Sequence, residues 1–248
     1  EPAVAALLRG IFGASPYLTQ TIERDPALLL RLLSRPAEVT YAALVANATA
    51  AMRAAEAVPD AMRILRLFKT EAALLIALCD IGGVWPVTEV TEALSRAADT
   101  AVATAVDFLF RQAHRRGEWL VPEPAGYIVL AMGKHGAGEL NYSSDIDLIV
   151  FYEPELARLR PGIESPQFFI RMTRDLVKLM QERTADGYVF RTDLRLRPDP
   201  GATQVAIATP AAINYYESVG QNWERAAYIK ARAIAGDLDA GRAFLKEL

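Results

Sequence analysis

One cysteine and two histidines in 248 residues leave little material for disulfides or zinc sites. Cys79 has no partner for an intramolecular bridge, and its place in the apolar run from Ala72 predicts a core thiol. His114 and His135 alone cannot build a zinc cluster. No apolar run reaches the ~18 residues of a membrane span. The N-terminal stretch has no basic region followed by an apolar core and a cleavage site, so no signal peptide is expected. These absences predict a reducing, cytoplasmic setting without a membrane partner. Basic excess is missing too: the net charge is −3 and the pI about 5.6. A nucleic-acid backbone is therefore not the expected substrate. With 52% hydrophobic and 23% charged residues the chain is not a disordered one. It opens at Glu1 and closes on an unfinished helical pattern, Phe244 to Leu248, which reads as a piece of a longer protein.

The first half has helical spacing throughout. Val4 to Phe12 forms a first helix. Ser15-Pro16 and Asp25-Pro26 each start another, with the polar residue as cap and proline at the first position. Thr40 is expected to cap a run to about Ala57. Pro59-Asp60 precedes a long helix ended by Gly82-Gly83, and a further one runs from about Thr88 to Arg116. The proline- and glycine-rich stretch 117–126 divides a helical domain, 1–118, from a second domain, 119–248. There, Tyr127 to Met132 and Ile146 to Tyr152 read as strands and Gln167 to Ala185 as a helix. Tyr188 to Phe190 and Thr192 to Leu196 read as further strands. Thr209-Pro210 caps a helix ended by Gly220, and two more helices follow, split at Gly236-Asp237. The order indicates an α+β domain with a small mixed sheet.

Asp145 and Asp147 stand two apart at the start of a strand, so their carboxylates share one face. Adjacent carboxylates repel unless a cation lies between them, and Mg²⁺ favours such oxygens together with substrate phosphate. Among thirteen aspartates, chance supplies about one Asp-x-Asp. Asp237-Leu238-Asp239 is such a pair, read as a helix cap with a first-turn acid. The first pair differs in context: a glycine-rich turn from Gly133 precedes it and Ser143-Ser144 abut it. Along Arg191 to Arg197, Arg191, Asp193, Arg195 and Arg197 alternate with Leu194 and Leu196. That pattern suits either a solvated strand face or a third metal carboxylate among phosphate-binding guanidiniums. Gln221 to Arg232 suits either an amphipathic helix or a functional one.

Together the pieces resemble a known family. Gly133-Lys134-His135-Gly136 through Glu139-Leu140-Asn141, Ser143-Ser144-Asp145-Ile146-Asp147, then Asp193-Leu194-Arg195-Leu196-Arg197-Pro198, then Trp223-Glu224-Arg225 with Ile229-Lys230-Ala231-Arg232, are similar to bacterial glutamine synthetase adenylyltransferase. Ile11 to Leu18, Leu65 to Lys69 and Asp80-Ile81-Gly82 resemble its helical segments. His135 departs from the common leucine; it either touches phosphate or fills a turn position.

The resemblance implies a nucleotidyltransferase (polymerase beta-like) fold. It implies the half of the enzyme that removes AMP from a glutamine synthetase tyrosine by phosphorolysis, yielding ADP. Asp145, Asp147 and Asp193 are then the catalytic and metal carboxylates for two Mg²⁺ ions. Gly133, Lys134, Ser143, Ser144, Arg195, Arg197, Lys230 and Arg232 are the phosphate-binding candidates. The implied partners are adenylylated glutamine synthetase, a PII signalling protein, and inorganic phosphate with ADP, or ATP. The alternatives are the ATP-dependent adenylylating half, a catalytically silent nucleotide-binding module, and a nucleic-acid-tailing enzyme.

Overall fold

A computed structural model describes residues 2–248. Six helices lead: α1 Pro2–Ala14, α2 Pro16–Arg24, α3 Pro26–Leu33, α4 Ala37–Ala54, α5 Val58–Ile81 and α6 Val87–Arg115. Local chemistry sets several of their ends. Ser15 Oγ accepts from the Leu18 N–H at 3.4 Å and Asp25 Oδ1 from the Leu28 N–H at 3.1 Å. After Gly82, Gly83 takes φ +65° and turns the chain out of α5. One predicted cap is corrected. Thr40 lies inside α4, with its hydroxyl spent on the Pro36 carbonyl, because the helix starts three residues earlier, directly after Pro36.

The remaining elements are β1 Tyr127–Ala131, the single turn α7 Gly133–Gly136, β2 Ile146–Tyr152, α8 Ser165–Gln181, β3 Thr192–Asp193, β4 Ile207–Ala208, α9 Thr209–Ser218, α10 Asn222–Ala227, β5 Arg232–Gly236 and α11 Leu238–Glu247. The sheet order is β3-β2-β1-β5, with β4 also pairing β2. β1 runs antiparallel to β2 and β5, whereas β3 and β4 run parallel to β2. The α+β class expected from the sequence is therefore present, with four local corrections.

Tyr188 to Phe190 forms no strand, and β3 stops at Asp193. Pro198 and Pro200 cannot donate to a ladder, and Asp199 adopts φ +38°, so 194–203 folds into turns. Thr209 does not cap α9; its hydroxyl goes to Glu153 Oε2. The helix expected across 221–236 is only six residues of α10 and a 3-10 turn, Tyr228–Lys230, before β5. Tertiary pairing with β1 overrides the helical preference of that alanine-rich stretch. Gly236, at φ +80°, lies so close to the Tyr127 carbonyl that a Cβ would collide with it. Asp237 then caps α11 as expected, accepting from the Ala240 N–H.

One apolar cluster runs from Ile11 through Phe108 and Phe110 to Val129, Leu148 and Ala235, so the long helices and one sheet face share a core. Fully buried Trp119, in the stretch expected to separate two domains, packs on Phe110 and Phe168 at 5.2 and 5.3 Å. The other sheet face packs Ile149 and Phe151 under Tyr216 and Phe244. Arg66 is fully buried, without a carboxylate partner among the described residues. Its guanidinium donates to the carbonyls of Met62, Leu179, Gly187 and Glu182, closing the end of α8 and the turn that leads to β3. Arg66→Met should leave the Leu179 and Glu182 carbonyls without this donor and cost about 3 kcal/mol. Urea unfolding checks it: the midpoint falls and the slope stays unchanged.

Candidate active site

Asp147 on β2 is the direct register partner of Asp193 on β3. Asp145 stands one residue before β2, where the Ile146 N–H pairs with the Arg191 carbonyl. Three carboxylates therefore converge where two parallel strands begin. Burial, then Asp193, then Asp145 push the Asp147 carboxyl above its ordinary range. The outer two carry guanidiniums. Arg191 bonds to Asp145 Oδ1 and to the Ser143 carbonyl. Arg195 folds back on Asp193 through Nε and Nη2, at 2.9 and 2.6 Å to Oδ2, and this holds the Asp193 carboxyl below the usual range.

Among the described residues no three acidic, histidine or cysteine side chains form a ready cage for a metal. The donor chemistry nevertheless fits a hard divalent cation that completes its shell with phosphate oxygens. Asp147 is the group such a cation would relieve.

The turn after β1 explains how Asp147 is approached so closely. Gly133 has φ +53°, and a Cβ there would stand 2.8 Å from Asp147 Oδ2. Gly136 packs against the carbonyls of Lys230 and Ala131 with no room for a side chain. Between them His135 is completely buried, its Nε2 2.8 Å from Asp99 Oδ1 on α6. Asp99 also takes Arg232 of β5, at 2.7 Å to Oδ2. Arg232 bonds in turn to the carbonyls of Gly136 and His135. One carboxylate on a leading helix thus ties the glycine turn to the edge strand. Burial raises the Asp99 carboxyl, but the bonds from His135 and Arg232 outweigh it and bring it below the ordinary range.

Comparison with known proteins shows the family. A profile of glutamate-ammonia ligase adenylyltransferase matches residues 5–247. The chain belongs to that family. It is 54% identical, over its whole length, to the bifunctional glutamine synthetase adenylyltransferase/adenylyl-removing enzyme of Bradyrhizobium diazoefficiens. The namesakes from Rhodopseudomonas palustris BisB5 and Xanthobacter autotrophicus are 53% and 50% identical to it. The chain spans 26% of the length of each of these three relatives.

Within this family member the remaining candidates are spread unevenly. Lys134 is exposed on the glycine turn and Ser143 is exposed beside Asp145. Ser144 donates to Asn141 Oδ1 at 2.7 Å. Arg197 spends its guanidinium on the carbonyls of Leu194, Pro200 and Thr203, and only its charge acts on Asp193. Lys230 pairs with Glu139 at 3.0 Å, and Arg232 serves the Asp99 tie. His135 does more than fill a turn; it is the middle of that tie. In α10 the amphipathic expectation inverts: Trp223 is 63% exposed, while Glu224 is buried and closes a capping box with Gln221. Sequence reasoning missed Asp99 and left Arg191 out of the site. The available signal for Asp99 was a lone carboxylate inside the run Ala97-Ala98-Asp99-Thr100-Ala101-Val102. Among the described residues no helix is long and apolar enough to cross a membrane.

A depressed carboxyl stabilises the fold above its unfolded pKa, about 3.9, and loses that contribution as pH falls through the folded value. Asp99→Asn should therefore cost about 2 kcal/mol at neutral pH. In thermal unfolding the gap to the unaltered chain should narrow below about pH 4.

Proposed function

We propose that this chain carries an adenylyl-removing centre of nucleotidyltransferase (polymerase beta-like) type. It acts on glutamine synthetase that bears AMP on a tyrosine, and it uses inorganic phosphate to release ADP. The observation that carries the reading is the convergence of Asp145, Asp147 and Asp193 at the start of two parallel strands, flanked by Arg191 and Arg195. The relatives' name includes both adenylyl transfer and adenylyl removal. Removal is favoured because Gly220 to Arg225 and Ile229 to Arg232 resemble the removing half of the family.

In the reaction an oxygen of inorganic phosphate attacks the phosphorus of the adenylyl group. The bond from that phosphorus to the tyrosine oxygen breaks, and the electron pair leaves on the phenolate, which takes up a proton. Phosphate is already anionic near neutral pH, so positioning and charge neutralisation contribute more than a strong base. Asp145, Asp147 and Asp193 are the residues to hold two Mg²⁺ ions, which supply Lewis-acid neutralisation of the phosphoryl oxygens. Arg195, 83% exposed at its side chain, and Arg191 can exchange a carboxylate for an arriving phosphate. Lys134 and Ser143 stand exposed on the loops that lead to the carboxylates. Gly133 leaves Asp147 accessible from the turn. A PII-type signalling protein is the expected regulator.

The test incubates the chain with AMP-modified glutamine synthetase, Mg²⁺ and phosphate, and follows ADP. Phosphate-dependent ADP is expected. Asp147→Asn should reduce it at least about a thousandfold with the fold intact. Gly133→Ala should also slow it, through the crowded Asp147. An active Asp147→Asn chain would sink the carboxylate assignment, and AMP gained from ATP by unmodified glutamine synthetase would point to the opposite half.

A further inference from the structure

Between the helices and the carboxylate loop lies a cavity of about 500 Å³. Its lining includes Ala72, Ala73, Ala77 and Ala97, whose small side chains leave space. Tyr17, Lys69, Asp80, Tyr142 and Arg191 supply the polar part of its lining. The Lys69 ammonium lies 5.1 Å from the ring centre of Tyr17 and 5.8 Å from that of Tyr188. Asp80 Oδ2 accepts the Tyr142 hydroxyl at 2.9 Å, while its Oδ1 accepts no side-chain hydrogen bond among the described residues. From the same lining Arg191 grips Asp145. The cavity thus starts in the helical core and ends on the first carboxylate. Lys69 and Asp80 both belong to the helical motifs noted in the sequence, and the phosphate chemistry uses neither.

We infer that this cavity takes the adenine nucleoside of the transferred group, with Asp80 accepting from the exocyclic amine of the base. The inference rests on the adenylyl-removing reading and assigns its nucleotide subsite. The volume lies in the range of small-molecule pockets, and a phenol ring alone would leave most of it empty. The alanine and tyrosine lining suits a flat aromatic ring. Asp80 is half-buried, and its Oδ1, which accepts no side-chain hydrogen bond among the described residues, can take an N–H from a ligand. Adenine presents one at its exocyclic amine; hypoxanthine presents a carbonyl there, which sets two acceptors face to face. The phosphate of such a nucleotide emerges at Arg191 and Asp145.

The test is a ligand-observed NMR titration of the chain with adenosine, inosine and N-acetyltyrosinamide, without metal or phosphate. These probes are uncharged, so the three carboxylates contribute little. Adenosine should bind, and inosine about tenfold more weakly. Asp80→Asn should narrow or reverse that preference, because a carboxamide whose oxygen still accepts from Tyr142 turns its N–H toward the base. Ala73→Phe should abolish adenosine binding in a chain that circular dichroism shows to be folded. No adenosine binding, equal binding to Ala73→Phe, or binding of N-acetyltyrosinamide in its place overturns the inference. Adenosine binding that Ala73→Phe abolishes supports the cavity assignment even where no ADP forms in the phosphorolysis assay, so the two readings fail separately.

Discussion

Three like charges brought to one point need a reason to stay there. Asp147 bears the main cost: it is half-buried, faces Asp193 across two parallel strands, and lies near Asp145. Two lesser interactions make the arrangement tolerable. Arg191 and Arg195 draw charge from the outer carboxylates, and both pairs are exposed enough to exchange partners readily. Among the described residues the middle carboxylate has no such ion pair. Under the proposed function, this half-buried carboxylate is the group that a cation and its accompanying phosphate would relieve.

The surroundings serve that same point. Gly133 gives up a side chain so that the turn after β1 can lie against Asp147. The turn is then held by Asp99 through His135, and Asp99 holds β5 through Arg232. Arg66 does comparable work on the other side, fixing the chain that leads from α8 into β3. Both anchors belong to leading helices. The helices thus form part of the support of the site, and their shared core with the sheet makes that support stiff.

Much of this was legible beforehand, and the rest was hidden for identifiable reasons. Strand β2 and the Asp145–Asp147 pair stood out because a period of two follows a glycine turn. Ser15, Asp25 and Asp237 announced their helices, since capping is local chemistry. The strand expected through Leu196 failed because alternating Arg and Leu outlasts the ladder once Pro198 and Pro200 force turns. Strand β5 was hidden because alanine-rich sequence favours a helix until a neighbouring strand offers pairing. The Asp99 tie spans 36 residues to His135 and 133 to Arg232. No pattern within a single element reports such contacts.

Manganese binding followed by electron paramagnetic resonance reads the carboxylates without any turnover. The chain should bind Mn²⁺, and Asp147→Asn should weaken binding at least about tenfold. Arg191→Ala should strengthen it, by freeing Asp145. Equal affinity in all three chains would mean that these carboxylates do not hold the metal.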